Sequence, residues 1–377
     1  MADTIHDIKE QSQMELVRER LLNAEIIGLD TESDSMHCYF EKVCYVQIRA
    51  GTDVFLIDTI AVKDFSLLLD IFDDPNRTLI LHGADYDVVC MERDFDVRFG
   101  GLFDTMIAAQ YLGKPRLGLA ALCEEYFGVE LDKSLTRHNW GRRPLEEKYI
   151  RYLVEDVMHL ADLHQILYSE LQAVDRLDEA QNEFSRVSGL HWSRRDFDPQ
   201  GFHKIREGRS LPTEVRCILK AIYAVRDEVS RDLDLPPFKV LSNQAMVAMA
   251  KQAPRSASAV SKLWRGPRRL TAGHREAVVR AVELAQSGSV VLGSPKSRAP
   301  RRPAPVARLE QELKAWRNDA AQDRDCPTMV VLPNHALLHI AESQPGDEAE
   351  LATVPFMGRR RQERYGQAIL DIVNHDG

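Results

Sequence analysis

No stretch of this 377-residue chain approaches the apolar run of about 20 residues that a membrane-spanning helix needs, and its first residues, MADTIHDIKEQSQMELV, are polar and acidic rather than signal-like. A cytoplasmic protein with no membrane partner is therefore expected. Cysteine is sparse: Cys38, Cys44, Cys90, Cys123, Cys217 and Cys326 are scattered without a CxxC pair, which points to reduced thiols rather than disulfides or zinc. The 12 histidines join no cysteine cluster, so zinc chemistry has no ligand set of the usual kind. A GxxxxGK[ST] phosphate loop is missing, which excludes ATP-driven work of that class. Sustained coiled-coil heptads are missing too, and a monomer is the default expectation.

What the chain does have is carboxylates in telling places. The run IIGLDTES predicts a strand in which side chains alternate faces, so Asp30 and Glu32 share one face with Ile26 and Gly28, and Ile27, Leu29 and Thr31 take the other. Two anions held this close repel unless a cation lies between them, and hard oxygen donors suit Mg²⁺ or Mn²⁺ better than zinc. The plain alternative is an acidic strand end that caps the next element. Further on, RTLILHGADYDVVCME reads as a buried strand, a turn at Gly83 and a helix, the kind of junction where α/β folds place ligands. Asp85 and Asp87 lie two steps apart on that helix and face different ways, so only one of them can be a ligand. A third segment, PLEEKYIRYLVEDVMHLADLHQIL, predicts an amphipathic helix starting near Pro144, with Tyr152 and Asp156 four residues apart on one face. Taken alone, Tyr152 would be a half-buried aromatic and Asp156 a surface acid.

In order and spacing these three segments resemble the DEDD superfamily of 3′→5′ exonucleases, in the tyrosine subtype found in ribonuclease D. The histidine subtype carries His five residues before the last Asp, where this chain has Arg151; Tyr152 stands where the tyrosine subtype has its Tyr. LFDTMIAAQYLG and LDKSLTRHNWGRRPL, with its Trp and Arg-Pro-Leu, extend the likeness through roughly the first two hundred residues. The resemblance implies an α/β ribonuclease H-like exonuclease domain with a mixed central sheet. It selects Asp87, five residues after His82, over Asp85. It further implies two divalent metal ions: Asp30, Glu32 and Asp156 on the one that activates water, Asp30 bridging, Asp87 on the second, and Tyr152 orienting the water. A phenol with an ordinary pKa near 10 is a poor proton acceptor at neutral pH, which agrees with an orienting role.

Net charge is −9 with a pI near 5.8, which taken whole argues against nucleic acid. The distribution reverses that impression. Residues 1–200 hold 38 acids and 21 bases, residues 201–300 hold 8 acids and 18 bases, and residues 301–377 hold 12 and 10. The basic stretch is also half of an internal repeat: DLPPFKVLSNQAMVAMA at 234–250 aligns with DCPTMVVLPNHALLHIA at 325–341, each after a helical, Arg-containing run. Each copy has helical spacing and resembles the HRDC domain shared by ribonuclease D and RecQ-type helicases. The expected layout is an exonuclease domain at 1–205, a first all-α HRDC bundle at 206–289, a Pro/Ser/Arg-rich linker at 290–307 and a second bundle at 308–377.

Arg265, Arg268, Arg269 and Arg275, clustered around Gly266-Pro267 beside Trp264, are the candidate phosphate grip, with Trp264 read as core. Arg359, Arg360, Arg361 and Arg364 of the second copy are offset by acids and suggest a spacer or clamp. His82, Gln47, Lys133, Arg137 and Arg143 are further candidates for touching RNA. The resemblance implies RNA 3′ ends as partner, tRNA precursors among them, with a DNA-directed exonuclease or a non-catalytic RNA-binding protein as alternatives.

Overall fold

A computed structural model describes residues 3–132, 134–194, 196–264, 266–267, 269–294 and 302–375. Six strands form one sheet in the order β1-β4-β3-β2-β5-β6: β1 (Thr4–Ile8), β2 (Ile26–Ser33), β3 (Val43–Ala50), β4 (Asp53–Asp58), β5 (Thr78–Leu81) and β6 (Leu102–Asp104). β3 runs antiparallel to both neighbours, β2 and β4, while the outer pairings β1 with β4, β2 with β5 and β5 with β6 are parallel. This is the mixed sheet expected. Seven of the eight residues of β3 are buried, as a central strand covered on both faces should be. The register slips between Glu32 and Ser33, so β2 ends in an irregularity directly after its second carboxylate.

Among the described residues eight α-helices complete this part: α1 (Met14–Leu22), α2 (Leu69–Phe72), α3 (Asp85–Phe95), α4 (Thr105–Leu112), α5 (Leu119–Phe127), α6 (Glu147–Met158), α7 (Leu160–Ala173) and α8 (Leu177–Ser188). α6 packs on β2 and β3, with Leu153 and Val157 fully buried. Each such side chain contributes about 1.5–3 kcal/mol by leaving water. That anchoring aims the flanking Tyr152 and Asp156 at the sheet. Among the described residues no helix is long and apolar enough to cross a membrane. All six cysteines are free thiols.

The chain divides into two compact units. One holds the chain up to Ser33, Val43–Trp192 and everything from Arg302 onward; the other holds Asp34–Lys42 and the chain from Ser193 to residue 301. One copy of the repeat therefore falls in each. The first contains α9 (Thr213–Leu233), α10 (Pro237–Val240), α11 (Asn243–Gln252), α12 (Ala257–Leu263) and α13 (Ala272–Gln286). The second contains α14 (Ala304–Asp323), α15 (Thr328–Val331), α16 (Asn334–Ser343), α17 (Glu348–Ala352) and α18 (Arg359–Asn374).

The repetition extends to individual bonds. Arg226 donates to the Leu241 carbonyl and the Asn243 side chain, and Arg317 donates to the Leu332 carbonyl and the Asn334 side chain. Asp234 and Asp325, at matching positions, both adopt left-handed backbone, with φ of 47° and 49°. Asp34–Lys42, the insertion that follows β2, is part of the unit built around the first copy. There the Tyr39 and Phe40 amides donate to Asp234, the Tyr39 hydroxyl donates to Asp227 (2.8 Å), and Lys239 bonds His37 (2.8 Å).

In the other unit the second copy is docked on α8 through arginines. Arg324 and Arg364 pair with Glu179, which is 2% exposed, and Arg360 pairs with Asp178. Arg364 also pairs with Asp175 at 2.6 Å. Arg361 is itself 1% exposed and donates to Tyr111 Oη, to the Glu179 carbonyl and to the Val330 carbonyl.

Candidate active site

The first two carboxylates project from β2 on the face that carries Gly28. A Cβ on Gly28 would stand 3.4 Å from the Leu160 side chain, so the start of α7 lies tight against the strand. α6, immediately before it, brings Asp156 over the same face. One carboxylate oxygen from each of Asp30, Glu32 and Asp156 lies within 4.8 Å of the others. The three acids foreseen from strand alternation and helix spacing thus converge in space.

Their electrostatics are those of crowded anions. Burial, followed by the charges of Asp156, Asp87 and Glu32, holds Asp30 well above the usual carboxylate range. Burial and then Asp156 and Asp87 push Glu32 up to about 9. Burial, with Glu155 second, raises Asp156 to about 7. Hard oxygen donors, partly desolvated and mutually repelling, fit a divalent cation such as Mg²⁺ or Mn²⁺ and offer nothing to a soft metal.

The second motif supplies Asp87 on the first turn of α3, where the helix N-terminus favours an anion. Thr31, on the opposite face of β2 from Asp30, donates its hydroxyl to Asp87 Oδ1. Asp87 is raised to about 6, burial outweighing that bond. Asp85 is exposed and lies 3.6 Å from Arg186 instead, so the two aspartates are separated as the helix geometry requires.

The turn before α3 depends on a residue that carried no mark in the sequence. Gly83 takes φ +74°, a conformation open to glycine, and its amide donates to Asp104 Oδ1 (3.0 Å) while the Ala84 amide donates to Oδ2 (2.7 Å). The same carboxylate caps α4 by accepting from the Met106 and Ile107 amides. Asp-Thr at the head of a helix in LFDTMIAAQ is an N-cap signal, but nothing local says that this cap also ties down the neighbouring turn.

Tyr152 is half-buried on α6, and burial together with Asp156, Glu32 and Asp30 raises its phenol above its ordinary value. At neutral pH the hydroxyl keeps its proton. Trp140, 1% exposed, holds the ring from the side at 5.6 Å between centroids, with Tyr149 against Trp140 and His138 stacked on Tyr149 at 3.7 Å.

The candidate RNA contacts fare differently. Gln47 is fully buried, so a nucleotide contact is not open to it. Arg143 does not face out to phosphate: its guanidinium forks onto Asp58 and donates to the Trp140, Arg142 and Cys44 carbonyls, with Tyr45 beneath it. All five N–H groups have a protein acceptor, which makes Arg143 a tie between the loop and the sheet. His82 is half-buried, bonded through Nδ1 to Thr105 (2.9 Å), and lowered by burial. Arg137 is exposed. Lys133, Arg265 and Arg268 lie outside the described residues.

Arg269 donates to the Leu233 carbonyl and Arg275 to the Leu270 and Thr271 carbonyls, so both support the bundle. Trp264 is core, 3% exposed, with its Nε1 donating to the Val240 carbonyl.

Comparison with known proteins agrees with this geometry. Residues 5–172 match a family described as 3′-5′ exonuclease, and residues 216–271 and 306–373 each match the HRDC domain. The chain is 35% identical over 181 residues to Protein RRP6-like 3 of Arabidopsis thaliana, covering 48% of this chain and 20% of that one. It is 30% identical over 234 residues to Ribonuclease D of Haemophilus influenzae, covering 62% of this chain and 59% of that one. The chain thus spans between a fifth and about three fifths of these curated relatives.

Among solved structures, Escherichia coli RNase D superposes with a TM-score of 0.66 at 23% identity over 100% of this chain and 99% of that one. A Bifidobacterium adolescentis protein gives 0.73 at 22% identity over 98% and 97%. At these identities both likenesses concern the fold. Sheet, acid cluster and repeated bundles agree with the matched segments: the chain joins a 3′-5′ exonuclease domain at 5–172 to two HRDC domains at 216–271 and 306–373.

Proposed function

We propose that this protein is a metal-dependent 3′→5′ exoribonuclease that trims structured RNA such as tRNA precursors and releases nucleoside 5′-monophosphates. The observation that carries the reading is the meeting of Asp30, Glu32 and Asp156 within 4.8 Å, beside a protonated Tyr152. In this reading Asp30, Glu32 and Asp156 hold one divalent ion, and Asp87 belongs to a second. When bound, such ions supply a nucleophile at neutral pH and stabilise the attacking and leaving oxygens of an in-line displacement.

The chain's own residues do the rest. The four carboxylates fix positions for the cations through two rigid elements, β2 and α6, and through the Asp104-tied turn before α3. Tyr152, as a neutral donor whose ring is set by Trp140, orients the attacking water instead of taking its proton. Asp104 keeps α3 in place, so Asp87 stays beside Thr31.

The surplus of bases over acids in residues 201–300 favours the first HRDC domain as the RNA grip. The arginines of the second are engaged on α8, which favours a brace over a second grip. RNA and DNA are separated by digesting matched end-labelled single strands of each. Shortening of RNA from the 3′ end at rates well above DNA is expected; equal or faster digestion of DNA would favour the DNA-directed alternative.

A further inference from the structure

Gln47 is 0% exposed, and among the described residues neither its Nε2 nor its Oε1 has a hydrogen-bond partner. A buried amide left without partners is costly, and it demands an explanation wherever it occurs. Its position supplies one. Gln47 is the cross-strand partner of Asp30 in the antiparallel pairing of β3 with β2, so the two side chains rise from the same face with Cβ atoms about 4.5–5.5 Å apart. The face is the one covered by α6, which brings in Asp156.

We propose that Gln47 is a positioning residue for Asp30, a role that rests on Asp30 being a cation ligand. With Asp30 holding a cation, the Gln47 amide N–H would donate to the Asp30 carboxylate and its carbonyl oxygen would be left to accept from water. Both idle groups then have work, and the orphaned amide belongs to a site built for its loaded state. A neutral amide suits the task better than lysine or arginine would. It steadies the anion and fixes its rotamer without cancelling the charge that draws in the cation. Groups that orient ligands in this way typically change metal affinity 10–100-fold when removed.

The test uses the full-length protein and Gln47→Met, which keeps the side chain's shape and removes both hydrogen-bonding groups, with Gln47→Asn as the milder change. Mn²⁺ binding is followed by electron paramagnetic resonance or calorimetry, alongside thermal unfolding in EDTA. The expected result is Mn²⁺ affinity lowered at least about 10-fold by Q47M and less by Q47N. In EDTA the Q47M midpoint should match or exceed wild type, because an unpaired buried amide has gone.

Wild-type Mn²⁺ affinity in both variants, or a Q47M protein that is destabilised in EDTA yet stabilised normally by Mn²⁺, would overturn the proposal by making Gln47 an ordinary core residue. Asp30→Asn is the control. If it too binds Mn²⁺ as wild type does, the assignment of Asp30 has failed and this role falls with it. If D30N loses Mn²⁺ while Q47M keeps it, only the role of Gln47 is refuted.

Discussion

Stripped of metal, the protein should become less stable as pH rises from 5 to 8, opposite to the usual effect of salt-bridged or hydrogen-bonded carboxylates. The perturbation is EDTA at a series of pH values. An acid whose folded-state pKa is raised holds its proton in the folded state when the unfolded chain has already released it. In that window the folded state binds more protons, so stability falls with pH at about 1.36 kcal/mol per unit for each such group. For Asp156 the window opens near the ordinary value of 3.8 and closes at about 7, so between pH 5 and 7 it alone costs about 3 kcal/mol.

Glu32, raised to about 9, continues the trend through pH 8. Because these acids raise one another, their costs do not add, and about 3 kcal/mol is the scale expected for the cluster. For a domain of this size that is roughly a 6–12 °C fall in unfolding midpoint. The assay is thermal unfolding in EDTA at pH 5, 6, 7 and 8, repeated with Mg²⁺. Mg²⁺ should restore most of the loss at pH 8 and little at pH 5, and Asp156→Asn should raise the metal-free midpoint at pH 8. A midpoint in EDTA that is flat or rises over this range would refute the picture of crowded, cation-seeking carboxylates.

Four further outcomes follow from particular contacts. Tyr152→Phe should lower kcat by about 100-fold or more with KM and Mn²⁺ affinity near wild type, and a matching loss of metal affinity would instead make the phenol a ligand support. Asp104→Ala unties four backbone amides and should cost about 2–4 kcal/mol while lowering activity through a displaced Asp87; wild-type stability in urea would contradict it. Arg361→Ala removes two charged hydrogen bonds to the exonuclease part and should cost about 3–5 kcal/mol, seen as faster hydrogen exchange in α15 and α8; unchanged exchange there would refute the docking. Arg269→Gln should lower the unfolding midpoint of the first HRDC domain more than its RNA affinity, and the reverse order would restore Arg269 to the binding surface.

What the sequence disclosed about the site was what depends on local periodicity. Alternation along a strand puts Asp30 and Glu32 on one face, four-residue spacing puts Tyr152 with Asp156, and a constant offset reveals the paired bundles down to Arg226 and Arg317. Features that depend on contacts between distant segments were not legible. Thr31 bonding Asp87, Asp104 reaching back to Gly83, and Gln47 paired across the strands with Asp30 all arise from elements joined only by the fold.

Arginine was the most misleading residue. A cluster of positive charge reads as a phosphate grip, yet Arg143 spends every donor on Asp58 and on carbonyls of its own chain, and Arg269 and Arg275 each place one nitrogen on carbonyls of the bundle. Regional charge excess is a property of the sequence, whereas which guanidinium is engaged is a property of packing.

Asp30 is where the account stands or falls. Wild-type protein and Asp30→Asn should be incubated with 5′-end-labelled tRNA precursor in Mg²⁺ and in EDTA, and the products resolved to single nucleotides. The expected result is a ladder shortening from the 3′ end for wild type in Mg²⁺, and intact RNA for wild type in EDTA and for D30N in either. Internal fragments, digestion that survives EDTA, or a D30N enzyme as active as wild type would contradict it.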